Sequence, residues 1–131
     1  MTGLIKYPKR IKQLIDFTGV QNKKIHPSDI DAVLEFDSKY LLLFEFKFKG
    51  AKVPIGQRLM LERIIDSWED SGKIGAVVYC EHTFPADQKI MAKKCKVVGG
   101  YNKSEYKPYR CDFLHFIFKF GVKYDIKKII A

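Results

Sequence analysis

Two pairs of charged residues in the first half of the sequence have the types and spacing needed for metal-assisted chemistry. Asp29 and Asp31 lie two residues apart, and Glu45 precedes Lys47 by the same interval. Successive side chains of a β-strand point to opposite sides, so residues two apart share a side. Phenylalanines alternate with Glu45 and Lys47, so we expect one apolar side and one polar side on this strand.

The sequence between these pairs predicts an antiparallel hairpin that brings the carboxylates together. Residues 32–36 and 40–49 are typical of strands, and the polar residues 37–39 are typical of a tight turn. The interval of 14 residues from Asp31 to Glu45 suits neighbouring positions on such a hairpin. Carboxylates that converge in this way repel each other unless a cation lies between them. Oxygen donors favour Mg²⁺ or Mn²⁺ over zinc.

Lys47 and Gln57 are the other candidates for chemistry near these carboxylates. Lys47 stands one pleat beyond Glu45, where its ammonium would hold an attacking water and offset charge on a phosphate. Gln57 falls at the start of a predicted helix and shares a side of that helix with the apolar Leu61. We therefore expect the Gln57 amide to point towards the sheet, beside helix N–H groups that favour anions.

Charge is distributed unevenly along the chain, whose formal net charge is +9. Residues 1–25 carry a net charge of +5, residues 26–72 carry −3, and residues 73–131 carry +7. A basic surface attracts polyanions, while a local acidic cluster attracts a divalent cation. A protein that holds a metal ion against a phosphate backbone needs both, although a solvated lysine-rich surface gives the same distribution.

Length and composition predict one soluble domain that spans residues 1–131. Apolar residues make up 47% of the chain and charged residues 30%, which is typical of a globular protein. Uncharged apolar runs such as residues 40–44 are too short to span a bilayer, and no apolar segment of signal-peptide length begins the sequence. The three cysteines are odd in number and widely spaced, which fits a reducing compartment. We expect a cytoplasmic protein without membrane association.

The remaining elements follow from apolar periodicity and from Gly and Pro positions. We predict helices at residues 8–18, 54–68 and 111–120, and a buried strand at residues 74–80 parallel to a hairpin strand. Residues 111–120 also fit a strand, and a helix is favoured because Gly121 is well placed to cap it. Residues 86–98 fit neither the helical period nor the strand period clearly, so strand and helix both stay open there. Residues 99–108 are typical of a polar loop.

These residues resemble the PD-(D/E)XK nuclease superfamily. The family pattern is an Asp on one strand, then hydrophobic residues leading into Glu-x-Lys on the next strand, then a helix. Asp31 matches the first position, with Asp29 as the other candidate, and residues 45–47 match Glu-x-Lys after the run LLLF. Gln57 resembles a glutamine motif found in several branches, which often have Tyr where this chain has Leu61.

The match covers roughly residues 26–80 and departs from the family at Ser28, where many members have Pro. In its compact size the chain looks most like Holliday-junction-resolvase-like and phage-encoded nucleases. The resemblance implies an α/β domain of restriction-endonuclease-like architecture, with a central mixed β-sheet flanked by α-helices. It further implies a metal-dependent endonuclease that hydrolyses DNA phosphodiester bonds, with branched DNA as one substrate class.

The resemblance also implies a role for each residue of the motif. Asp31 and Glu45 would hold Mg²⁺ or Mn²⁺, with Asp29 in support and the Phe46 carbonyl as a further ligand. Lys47 would position the attacking water, and Gln57 would orient the substrate or Lys47. The expected partner is DNA, and a homodimer is left open.

Six basic residues are the candidates for contacts with DNA phosphates: Lys49, Lys52, Arg58, Lys103, Lys107 and Arg110. The last three alternate with tyrosines, which is typical of a nucleic-acid surface and equally of a loop anchored by aromatic rings. Two other functions therefore stay open: a non-catalytic DNA-binding module that retains the nuclease fold, and an interaction domain whose acidic cluster only caps the sheet.

Overall fold

The computed structural model describes residues 29–130, and the helix predicted at residues 8–18 lies outside the described residues. None of the helices in residues 29–130 has the length and apolar character needed to cross a membrane. The strands are β1 (Ala32–Phe36), β2 (Tyr40–Phe48), β3 (Ile74–His82), β4 (Lys96–Asn102) and β5 (Glu105–Asp112). The helices are α1 (Ile55–Asp70), α2 (Phe113–Tyr124) and α3 (Lys127–Ile130), and a 3-10 helix spans Ala92–Lys94.

The five strands form one mixed sheet in the order β1-β2-β3-β4-β5. The pairing of β2 with β3 is parallel, and the other three pairings are antiparallel. Helix α1 connects the two parallel strands, as a crossover between parallel neighbours requires. The prediction of an α/β domain with a mixed sheet flanked by helices is confirmed, as is the parallel pairing of the buried strand with the hairpin.

The hairpin of β1 and β2 is confirmed with the predicted tight turn. Asp37 and Ser38 occupy the left-handed region, with φ of 57° and 54°, and the Lys39 N–H donates to the Phe36 carbonyl at 3.0 Å. Two positive φ angles in a row give the backbone twist that suits neighbouring antiparallel strands. The turn therefore sets the register that aligns β1 with β2.

Helices cover the two faces of the sheet with different side chains. Helix α1 packs Leu61 and Ile65 against Leu43 and Val77, and all four side chains are buried. Helix α2 covers the other face, where its aromatic residues pack against buried residues of β2, β3 and β4: Leu42, Phe44, Val78, Cys80 and Val97. The two faces are named here the α1 face and the α2 face.

The polar loop predicted at residues 99–108 is wrong, because β4 and β5 form a hairpin across this segment. Gly99 and Gly100 have no side chains to pack, but Tyr106 lies over Gly99 on the α1 face and Tyr109 lies over Gly100 on the α2 face. Such cross-strand cover compensates for glycine in a strand. Pro108 is tolerated because β5 is an edge strand.

The helix predicted near residues 111–120 is confirmed, but Gly121 is wrong as its cap. Helix α2 continues through Gly121, which is buried against Ile129 of α3. Asp125 ends the helix instead, in the left-handed region with φ of 53°. A side chain at residue 121 would collide with Ile129, so this glycine permits close helix packing and is not there to break the helix.

Candidate active site

The strand register brings Asp31 and Glu45 to neighbouring positions. Ala32 pairs with Phe44 in the antiparallel ladder. Asp31, one residue before Ala32, therefore lies across from Glu45, one residue after Phe44. The Asp31 carboxylate accepts a hydrogen bond from the Phe46 N–H, with a distance of 2.8 Å between Oδ2 and the nitrogen. Asp31 is therefore fixed to β2 immediately beside Glu45, although it lies just before the first residue of β1.

Within residues 29–130, Glu45 is the one charged residue that is buried, with 2% of its surface exposed. The Lys47 ammonium lies 3.0 Å from Glu45 Oε1, and the Gln57 amide donates to Oε2 at 3.3 Å. The polar side predicted for β2 does not leave Glu45 exposed, because Gln57 of α1 packs over it. A buried carboxylate is costly unless it is paired, and Lys47 and Gln57 together supply the pairing.

Gln57 reaches Glu45 from the first turn of α1. Pro54 precedes the helix and makes no side-chain cap to its N–H groups, and the first turn contains no acidic residue. The Gln57 amide also donates to the main-chain carbonyl of Asp29. Gln57 therefore links the segment before β1 to Glu45. Its role in orienting the substrate or Lys47 stays a prediction.

Tyr79 and Glu62 extend the site along the α1 face, and the sequence analysis missed both. Tyr79 pairs with Glu45 in the parallel register, and its hydroxyl donates to Glu62 at 2.8 Å. Burial, followed by the hydrogen bond to Glu62, raises the pKa of Tyr79 far above its usual value, so the hydroxyl stays a donor. Arg58 Nε lies 3.5 Å from the same Glu62 oxygen. The i,i+4 spacing of Arg58 and Glu62 was the available signal.

The donors at this site suit Mg²⁺ in kind and number. Within residues 29–130 there is no group of three or more His, Cys, Asp or Glu side chains that could hold a metal ion. Mg²⁺ commonly takes one or two protein carboxylates and completes its shell with water and substrate phosphates. Asp31, Glu45 and the Phe46 carbonyl would provide that set. A carboxylate has about four lone-pair positions, so Glu45 retains capacity beside its two hydrogen-bond donors.

Four of the six predicted DNA-contacting residues lie at the end of the sheet where Glu45 is found. Lys49 and Lys52 are exposed in the connection from β2 to α1, and Arg58 is exposed on the first turns of α1. Arg110 lies 3.7 Å from Glu81, and Glu81 pairs with Lys47 in the sheet. Arg58 and Arg110 each lie beside a carboxylate, Glu62 and Glu81, which offsets part of their positive charge.

The other two predicted contacts lie farther from the site. Lys103 is in the turn between β4 and β5, and its N–H donates to Glu69 in the last turn of α1. At a rise of 1.5 Å per residue, Glu69 is about 18 Å along the helix from Gln57. Lys107 pairs with Gly100 in the middle of the edge hairpin. Neither residue is brought to Glu45 by the fold.

Comparison with protein-family models, with curated proteins and with solved structures finds no match to this chain. The function therefore has to be argued from the side chains that the fold brings together. The closest such group consists of Asp31, Glu45, Lys47 and Gln57.

Proposed function

We propose that the chain is a metal-dependent endonuclease with a restriction-endonuclease-like fold, and that it hydrolyses phosphodiester bonds in DNA. One observation carries the proposal. Asp31, which immediately precedes β1, lies across from Glu45 on β2, with the Lys47 ammonium 3.0 Å from Glu45, near the carboxyl ends of the parallel strands β2 and β3. The carboxyl ends of parallel strands are where α/β sheets usually bind their ligands.

The proposed ion is Mg²⁺ or Mn²⁺, held by the carboxylates of Asp31 and Glu45 and by the Phe46 carbonyl. A bound divalent ion of this kind polarises a phosphate and makes water a better nucleophile. The hydrogen bond from the Phe46 N–H to Asp31 orients one of these carboxylates. Gln57 orients the other and is a positioning residue.

Lys47 has the properties needed to act on the water and the phosphate. Its side chain is about one-third exposed, at 34%, while Glu45 beside it is buried. The ammonium can therefore contact Glu45 and still donate to a group that arrives from solvent. In the proposed reaction it holds the attacking water and stabilises the negative charge that builds on the phosphate in the transition state.

The exposed cations at this end of the sheet support a polyanionic substrate. Lys49, Lys52, Arg58 and Arg110 flank the carboxylates at positions where a DNA backbone could pass. Each lysine or arginine that neutralises a phosphate releases counterions, so binding should weaken steeply as salt rises. A homodimer, which would offer two such sites to a branched or duplex DNA, stays a prediction.

The test is cleavage of a panel of Holliday junction, flap, duplex and single-stranded DNA, with an RNA duplex beside them, in Mg²⁺, Mn²⁺ or EDTA. We expect the full chain to cut DNA only when a divalent ion is present. Glu45→Gln should abolish cutting while retaining the size of the side chain and a contact to Gln57. The matched control is Glu35→Gln, an exposed carboxylate on β1 that accepts the Ser38 N–H and should be dispensable. Cutting by Glu45→Gln at the wild-type rate contradicts the proposal.

One observation favours the alternative of a non-catalytic DNA-binding module. The Lys47 ammonium already compensates the charge of Glu45, and the Gln57 amide donates a hydrogen bond to it, without a metal ion. A module of this kind would retard DNA in a gel with EDTA present and would cut none of the panel in any divalent ion. The same gels therefore separate the two functions.

A further inference from the structure

A cavity of about 270 Å³ opens on the α2 face, between α2 and the strands β4 and β5. Its floor is formed by Ala76 and Gly100, the small residues at this part of the sheet. Five aromatic residues line it: Tyr101, Tyr109, Phe116, Phe120 and Tyr124. Because Glu45 points to the α1 face, the sheet separates this cavity from the candidate active site.

Contacts within the fold hold the aromatic walls in place. The rings of Tyr109 and Phe116 meet edge to face, with centroids 5.8 Å apart, and those of Phe120 and Tyr124 lie 4.9 Å apart. A Cβ atom at Gly100 would lie 2.9 Å from the Tyr109 ring. The glycine therefore allows the ring to approach the sheet, and the cavity is formed before any ligand arrives.

Two lysines provide positive charge at the rim of the apolar cavity. Lys119 and Lys123 are both exposed and lie four residues apart on α2, so they share a side of the helix. The ion pairs found within residues 29–130 involve neither lysine. Burial raises the pKa of the Cys111 thiol, so the wall near it is neutral at pH 7.

We propose that this cavity binds a nucleotide, with its base between the aromatic rings and its phosphate on Lys119 and Lys123. Ligand sites are mostly apolar and aromatic, with a few polar groups that fix orientation, and this cavity has that composition. Aromatic rings stack on bases of any type, and ammonium groups bind phosphate through charge-assisted hydrogen bonds. Asn102 at the edge of the cavity can hydrogen-bond a base.

The ligand is a free nucleotide and not a base of the strand bound at the candidate active site. A strand held at Glu45 would have to pass around the sheet to place a base in this cavity. The proposal therefore does not depend on the nuclease activity, and either can fail without the other.

The experiment titrates the full chain with adenosine 5′-monophosphate and uridine 5′-monophosphate, followed by calorimetry and by amide NMR shifts. We expect saturable binding of one nucleotide per chain, with the largest shifts at Gly100, Cys111 and Phe116. Adenosine, which lacks the phosphate, and ribose 5-phosphate, which lacks the base, should each bind at least about tenfold more weakly, because each loses one set of contacts.

Double variants test whether Lys119 and Lys123 bind the phosphate. Lys119→Gln with Lys123→Gln should weaken adenosine 5′-monophosphate about tenfold and leave adenosine unchanged. The control, Lys93→Gln with Lys94→Gln, removes the same charge from the exposed 3-10 helix and should leave both affinities unchanged. The proposal is overturned if neither nucleotide binds saturably, if the control loses as much affinity, or if octathymidylate binds in the cavity while free nucleotides do not.

Discussion

The α1 face and the α2 face of the sheet are built from alternate residues of the same strand, yet they have opposite characters. On the α2 face, Phe44 and Phe46 pack against Phe113 with ring centroids 5.2 Å and 5.8 Å away. On the α1 face, Glu45, which stands between these two phenylalanines in the sequence, is buried beside Lys47. It accepts a hydrogen bond from the side-chain amide of Gln57 on α1. A shift of one residue in β2 would exchange these environments, so the aromatic packing fixes the position of the carboxylate.

Polar contacts also join α1 to the sheet along its whole length. Glu62 accepts the Tyr79 hydroxyl, Asp66 accepts the Tyr101 hydroxyl, and Glu69 accepts the Lys103 N–H. The α2 face depends instead on the fit between apolar side chains. Changes on the α2 face should therefore alter stability, whereas changes on the α1 face should alter the geometry of the site as well.

The largest effect on stability is expected from Phe44→Ala on the α2 face. Phe44 is 1% exposed, and loss of a buried phenyl ring should lower the free energy of unfolding by about 4 kcal/mol. Urea unfolding followed by circular dichroism measures it. Phe48→Ala is the control on the same strand face, since Phe48 is 52% exposed and should cost less than about 1 kcal/mol. Equal costs for the two variants would mean that the α2 face is not the packed core described.

Lys47→Ala should lower the free energy of unfolding by about 2 kcal/mol, because it leaves the buried Glu45 carboxylate without its ammonium. Adding Glu45→Gln removes the unpaired charge and should recover part of that loss. Urea unfolding of both single variants and the double variant gives the coupling energy directly. A coupling energy near zero would mean that Lys47 does not stabilise Glu45.

The first hairpin, α1 and β3 could be predicted from the sequence because local signals agree there. Apolar and polar residues alternate in β2, a polar turn precedes it, and an apolar run forms β3. The β4–β5 hairpin gives no such agreement. Its glycines become acceptable in strands only after Tyr106 and Tyr109 cover them from the neighbouring strand, and its turn residues Lys103 and Ser104 are not those that normally favour positive φ.

The site was predictable to the extent that it depends on strand period and register. Those two features place Asp31, Glu45 and Lys47 together. The burial of Glu45 was not predictable, because it depends on how closely α1 approaches β2. The contact between Tyr79 and Glu62 joins two elements through the same approach, so it too follows from packing and not from spacing.

Tyr79→Phe removes one hydroxyl from the α1 face and should lower the free energy of unfolding by about 1 kcal/mol, because Glu62 loses a hydrogen-bond donor. Arg58 remains beside Glu62 and limits the loss. Thermal or urea unfolding measures the cost. Tyr106→Phe serves as the control, since half of this tyrosine, 51%, is exposed. A larger loss in the control would contradict the role given to the Tyr79 hydroxyl.

The smallest expected effect is the pH dependence of stability that comes from the Cys80 thiol on the α2 face. Burial raises its pKa from 9.0 to about 12 in the folded protein. The unfolded chain loses this proton first, so the contribution of this thiol to stability is constant well below pH 9 and falls as the pH rises from there towards 12. Urea unfolding between pH 7 and pH 10 should show the decline, and Cys80→Ala should make it shallower. An unchanged slope in Cys80→Ala would assign the decline to other groups.

The claim that Asp31 and Glu45 share one cation is tested most directly by calorimetric titration of Mn²⁺ into the full chain and three single variants. We expect one ion per wild-type chain and loss of that ion in Asp31→Asn and in Glu45→Gln. Asp29→Asn should bind within about tenfold of the wild type, because Asp29 contacts Gln57 through its main-chain carbonyl, which the substitution leaves in place. Retention of the ion by both Asp31→Asn and Glu45→Gln, or its loss only in Asp29→Asn, would contradict the account.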